Sequence, residues 1–167
     1  MKKMKNVFGL PVLDVSSGKK VGVIEDIFFN NYGEIVGFAV ASQSLFNKIS
    51  FLSYENVSFV GDDAVTIGEE KFITPIHQNQ YYSYNYGKRS CKELPLVTTN
   101  GQELGYISDV YFMEEVGKII GYEVSDGFIS DITEGRRTIE IPKRLIIGED
   151  AIVIPNKEVK DVVFEDK

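Results

Sequence analysis

The chain has 167 residues, 43% hydrophobic and 26% charged, with a net charge of −7 and a pI near 4.8. This is the balance of a folded chain, not a disordered one. The acidity argues against direct nucleic-acid binding, because the basic residues gather only in pairs such as Lys2-Lys3, Lys19-Lys20, Lys88-Arg89 and Arg136-Arg137.

The chain opens MKKMKNVFGLPVLDV, basic but without the apolar run of a signal peptide. Nowhere do about 18 uninterrupted apolar residues follow one another, as a membrane helix needs. A single cysteine, Cys91, allows no intrachain disulfide and suits a reducing compartment, so a cytoplasmic location is expected.

Short runs rich in β-branched and aromatic residues then alternate with Gly, Asn and Asp turns. The first turn is at Ser17-Gly18. A long strand comes next in VGVIEDIFFNNYGEIVGFAV, turning at Gly33 into a strand where Val36, Phe38 and Val40 should face inward. Gly22 and Gly37 lie inside these strands, where glycine marks a bend or bulge. ASQSLFNKIS comes after, with Leu45 and Phe46 expected to plug an open end, and FVGDDAVTI closes the first half. A tyrosine-rich segment carries Tyr81, Tyr82, Tyr84 and Tyr86 beside Lys88 and Arg89.

The second half rewrites the first. Aligning Leu10-Pro11 with Leu94-Pro95 matches Gly18, Gly22, Ile24, Asp26, Phe29, Gly33, Ile35, Gly37 and Val40 to Gly101, Gly105, Ile107, Asp109, Phe112, Gly117, Ile119, Gly121 and Val124. Eleven identities accrue across two one-residue gaps, both in turns, where roughly two would arise by chance at ordinary residue usage. IIGEDAIVI closes the second half as FVGDDAVTI closes the first. The expectation is an all-β chain of two tandem small barrels with five or six strands each: residues 1–70, a connector over 71–88, residues 89–157 and a charged tail over 158–167. In that tail Val162-Val163-Phe164 should add an edge strand.

LPVLDVSSGKKVGVIEDIFFNNYGEIVGFAV with VGDDAVTI, and ELPLVTTNGQELGYISDVYFMEEVGKIIGYEV with IGEDAIVI, resemble two PRC-barrel domains, over residues 5–68 and 89–155. The family includes the cytoplasmic part of the photosynthetic reaction-centre H subunit and the C-terminal domain of a ribosome maturation factor. The resemblance implies a small β-barrel used for docking, with no shared catalytic site to carry over. One departure is Glu93 where the first copy has Gly9, which points to a different lead-in turn.

No catalytic, cofactor or metal motif is present. His77 stands alone, and Cys91 aligns with Val7, which marks it as a small core residue. Asp26 and Asp109 recur inside apolar strands, and the structural reading is favoured: each is buried and accepts backbone N–H bonds at a bulge. The chain therefore reads as a non-catalytic protein-binding or adaptor module. A ribosome- or RNA-associated factor and a binder of a small molecule or metal between the barrels are the alternatives. The candidate partner surface combines the divergent segment Phe128, Ile129, Ile132, Arg136 and Arg137 with Tyr81, Tyr82, Tyr84 and Tyr86. A barrel plug and a packed joint are the competing explanations for those two groups.

Overall fold

A computed structural model of the chain describes residues 1–42, 49–75, 81–125, 137–142 and 146–164. The strands of the first half are β1 (Lys2–Lys3), β2 (Pro11–Asp14), β3 (Lys19–Phe29), β4 (Ile35–Ala41), β5 (Ile49–Ser53), β6 (Val57–Val60), β7 (Val65–Ile67) and β8 (Ile73–Pro75), and β9 (Tyr82–Ser83) leads into the second half. Those of the second are β10 (Pro95–Thr98), β11 (Glu103–Met113), β12 (Lys118–Ser125), β13 (Arg137–Glu140), β14 (Ile146–Ile147), β15 (Ile152–Ile154) and β16 (Asp161–Val162). Helical structure among the described residues is limited to single 3-10 turns.

Two eight-stranded sheets repeat one topology. The first runs β6-β7-β2-β3-β4-β5-β8 and the second β14-β15-β10-β11-β12-β13-β16. In both, the outer pair is antiparallel and the next contact, β2 with β7 or β10 with β15, is parallel. β8 and β9 show that the expected connector supplies strands to the first sheet, and the tail adds an edge strand, β16, which takes in Val162 but not Val163 or Phe164 of the expected run. Bulges fall at matching places: next to Gly22 and Gly105, at Val21 and Leu104, and just before Asp26 and Asp109.

The remaining strand of each sheet comes from the other side. β1 precedes the first repeat but pairs with β11, Lys2 opposite Phe112 and Lys3 opposite Tyr111. β9 precedes the second repeat but pairs with β3, Ser83 opposite Phe28 and Tyr82 opposite Phe29. Each lead-in segment therefore completes the sheet of the other half. The hairpin turns meet with the same reciprocity: Ile35 N–H donates to the Gly117 carbonyl at 2.7 Å, and Ile119 N–H to the Gly33 carbonyl at 2.8 Å. Gly33 and Gly117 have φ of 71° and 62°, and a Cβ on Gly117 would lie 2.6 Å from the Tyr54 ring. The two halves are thus related by a pseudo-twofold through these turns.

One hydrophobic core spans both halves, with Val12, Ile24, Ile27, Phe29 and Phe38 matched by Leu96, Ile107, Val110, Phe112 and Tyr122. Each such side chain is worth about 1.5–3 kcal/mol on burial. Phe38 and Val40 point inward as expected, but Ile35 takes the inward place expected of Val36, and Ile119 joins the core while Ile120 does not. The register slip beside Phe29 and Phe112 accounts for this, because one extra residue reverses the facing of the strand beyond it. Cys91 lies fully buried in the core, where burial pushes its thiol pKa up and leaves it a poor nucleophile.

Glu93 corrects an expectation. It adopts φ 63°, close to the 77° of Gly9. Its N–H bonds the Ile107 carbonyl as Gly9 N–H bonds that of Ile24. The lead-in turn is therefore the same in both copies, with a side chain forced into the left-handed region.

Candidate functional site

The two recurrent aspartates lie on the central strand of each sheet, 2% exposed. Asp26 accepts four backbone N–H bonds: Ile27 at 2.8 Å, Tyr84 at 3.1 Å, Asn85 at 2.9 Å and Tyr86 at 3.0 Å. Asp109 accepts two, from Val110 at 2.8 Å and Lys5 at 3.3 Å. Apart from each aspartate's own neighbour, these donors lie in the lead-in segment that crosses from the other half. Burial pushes both carboxyls above the ordinary range, and the N–H bonds pull them back in part. The carboxylates clasp the exchanged segments.

The predicted tyrosines separate into two roles. Tyr84 is fully buried and its hydroxyl donates to the Ser108 carbonyl at 2.7 Å, so it belongs to the joint and not to an exposed partner surface. Tyr82 stacks on Phe29 and its hydroxyl reaches the Ile147 carbonyl of the other sheet at 3.2 Å, which also makes it a joint residue. Tyr81 stacks on Phe51, and Tyr86 is 64% exposed. Arg137, on β13, forms a two-pronged ion pair with Asp161 and so ties β16 to its sheet. Phe128, Ile129, Ile132 and Arg136, like Leu45, Phe46 and His77, lie outside the described residues.

The matching outer faces of the two sheets differ. On the second sheet Glu123 is buried although it stands on the outer face. Lys3 Nζ lies 2.9 Å from its carboxylate, the Ser108 hydroxyl donates at 3.1 Å and the Tyr111 hydroxyl at 3.4 Å. Burial works against the charge on Lys3, but its hydrogen bonds to Tyr111 and Glu123 outweigh that and raise its pKa. A cleft of about 380 Å³ remains, lined by this group with Val162, Val163 and Phe164.

On the first sheet the register sets Ala39 where Glu123 stands, Ser83 where Lys3 stands and Phe28 where Tyr111 stands. Among the described residues the ion pair has no counterpart, and a cleft of about 700 Å³ lies there. Among the described residues Phe28, Ala39, Ile49 and Tyr81 give it apolar walls, Asp26 and Ser83 add polar groups, and Tyr86, Lys88, Arg89, Glu25 and Glu149 stand around it. Glu149 comes from the second half, so the cleft lies between the halves. Arg89 lies 5.5 Å from the Tyr82 ring centre. Sequence reasoning named Tyr81 and Tyr86 but missed Phe28, Ala39 and Ser83. The substitution of Ala39 for Glu123 between otherwise matching strands was the available signal. Among the described residues no cluster of three or more His, Cys, Asp or Glu could hold a metal, and no helix is long and apolar enough to cross a membrane.

A B. subtilis (strain 168) protein designated the uncharacterized protein YrrD is 28% identical over 152 residues, covering 89% of this chain and 84% of its own. The profile of the PRC-barrel domain matches residues 1–76 and again residues 85–161. With both repeats matched and both sheets alike in strand order, the chain belongs to the PRC-barrel domain family, which it carries in tandem.

Proposed function

We propose that this chain is a non-catalytic binding module that docks another protein on the outer face of its first sheet. The cleft there, wider than the one left beside the ion pair on the matching face of the second copy, is the observation that carries the reading. The features shared by both copies have structural employment: the aspartates clasp the lead-in segments and the turn glycines meet at the pseudo-twofold. A duplicated fold leaves its divergent positions free to specialise, and Ala39 and Ser83 are such positions. A concavity of several hundred Å³ with apolar walls and a few polar groups, here Asp26, Ser83 and the surrounding charges, is the ordinary form of a binding site.

The test is a pull-down with the full chain and with an Ala39→Glu/Ser83→Lys variant, which installs the second copy's ion pair in the first. Thermal unfolding monitors the fold. The reading expects the folded variant to lose partners that the natural chain retains. Retention of every partner by a folded variant overturns it. If that variant unfolds, Tyr86→Ala/Lys88→Ala, confined to the exposed rim, takes its place with the same two outcomes.

A further inference from the structure

We propose that Asn100 is a modification site gated by the turn between β10 and β11: it stays intact while the turn is closed and deamidates when the turn opens. Asn100 is the one asparagine in the chain that precedes a glycine, and both residues lie exposed in that turn. The chemistry needs no enzyme. The Gly101 nitrogen, its proton passing to water or hydroxide, attacks Asn100 Cγ. The N–Cγ bond forms, the Cγ–Nδ2 bond breaks and ammonia departs, leaving a five-membered succinimide. Water then opens the ring, at Cγ to give aspartate or at the main-chain carbonyl to give isoaspartate. Glycine favours the step because no side chain crowds the attacking nitrogen and its backbone turns freely.

The folded turn restrains both reactants. Gly101 N–H donates to the Thr98 carbonyl at 2.9 Å, which holds the proton that must be lost. Thr98 is 3% exposed, and its hydroxyl donates to Asn100 Oδ1 at 2.5 Å, nearer than the Gln102 carbonyl at 3.1 Å. The same oxygen accepts the Gln102 N–H at 3.0 Å. The carboxamide is thereby tied back to the end of β10, and its carbon is not free to swing onto the nitrogen. Thr99 N–H, on the Ile154 carbonyl at 2.9 Å, fastens the turn to β15. The first copy has no such site. There Ser17 precedes Gly18, and the Asp14 carboxylate holds the turn through Ser16 and Ser17 N–H at 2.8 and 3.2 Å. Conversion adds a negative charge close to Glu103, and isoaspartate also adds a methylene to the main chain where β10 and β11 join. The second half alone thus carries an irreversible mark of its own opening at this turn.

The test incubates the full chain in neutral buffer, folded and in concentrated urea, and follows each asparagine by peptide mass spectrometry. Site-resolved peptides keep Asn100 apart from Asp126-Gly127, outside the described residues, whose ring forms by loss of water. In urea Asn100 should convert faster than every other asparagine. It should also convert about tenfold or more faster there than in the folded chain, the ratio reporting how seldom the turn opens. Thr98→Val, verified as folded by thermal unfolding, should convert Asn100 several-fold faster than the natural chain does. If that variant unfolds, the natural chain in urea below its unfolding transition takes its place, and conversion should rise in step with exchange of the Gly101 amide. Equal rates folded and unfolded, another asparagine converting as fast in urea, or conversion that ignores Gly101 exchange overturns the inference. So does an unchanged or slower rate in folded Thr98→Val; a slower one would mean that the hydroxyl activates the carboxamide instead of restraining it.

Discussion

Replacing Asp26 with alanine removes one acceptor from four backbone N–H groups, and the cost can be worked donor by donor. Tyr84 N–H retains a second acceptor, the Ile27 carbonyl at 3.2 Å, and Tyr86 is a largely exposed residue. Ile27 and Asn85 are the donors most fully deprived. A buried donor left unsatisfied costs about 1–3 kcal/mol. Removing a desolvated carboxylate returns part of that, which leaves a net loss of about 2–4 kcal/mol for Asp26→Ala. Asp109→Ala deprives only Val110 and Lys5, the latter bonded at 3.3 Å, and should cost about 1–2 kcal/mol. Urea unfolding of the natural chain and both variants, with slopes compared to detect changes in cooperativity, measures the difference. If Asp26→Ala is no more costly than Asp109→Ala, the carboxylate clasp is not what secures the exchanged segments.

Glu93→Gly should stabilise the fold by about 0.5–1 kcal/mol, because relief of a left-handed L-residue exceeds the added freedom of glycine in the unfolded chain; a lower midpoint in the same unfolding assay would contradict this. The Tyr122 hydroxyl is buried without a hydrogen-bond partner among the described residues, so Tyr122→Phe should raise stability by about 1 kcal/mol, and a loss would reveal an acceptor or water. Asp26 and Asp109 hold raised pKa values when folded, so their contribution is fully present below the unfolded-state pKa and is lost as pH rises through the folded one. The stability of the natural chain relative to Asp26→Asn should therefore increase as pH falls from 7 toward 4, and a decrease would mean that the N–H bonds outweigh burial.

The strand plan was legible in the sequence because repetition supplied an internal check. Identities such as Asp26/Asp109 and Gly33/Gly117 sit where the backbone has special duties, a bulge and a left-handed turn, and these leave a mark on residue choice. The exchange of β1 and β9 left almost none. Two-residue strands held by main-chain bonds need no particular side chains, and Lys2-Lys3 shares no pattern with Tyr82-Ser83. Tyr84 reads as a surface candidate because its tyrosine-rich neighbourhood looks like a linker. Its burial comes from the clasp at Asp26, which depends on a segment 58 residues distant. Glu93 misleads in the opposite sense: a non-glycine residue suggests a different turn, but the bond to Ile107 imposes the same one. The cleft arises from small side chains at Ala39 and Ser83, and a void becomes readable only once the register brings the two positions together.

If function resides on the outer face of the first sheet, a bound partner must shield that face from solvent. Hydrogen–deuterium exchange on the full chain, alone and with a partner captured in the pull-down, reads this directly. New protection is expected along β3, β4 and residues 81–89. Protection confined to the second sheet, or to the hairpin turns at Gly33 and Gly117, would contradict that placement.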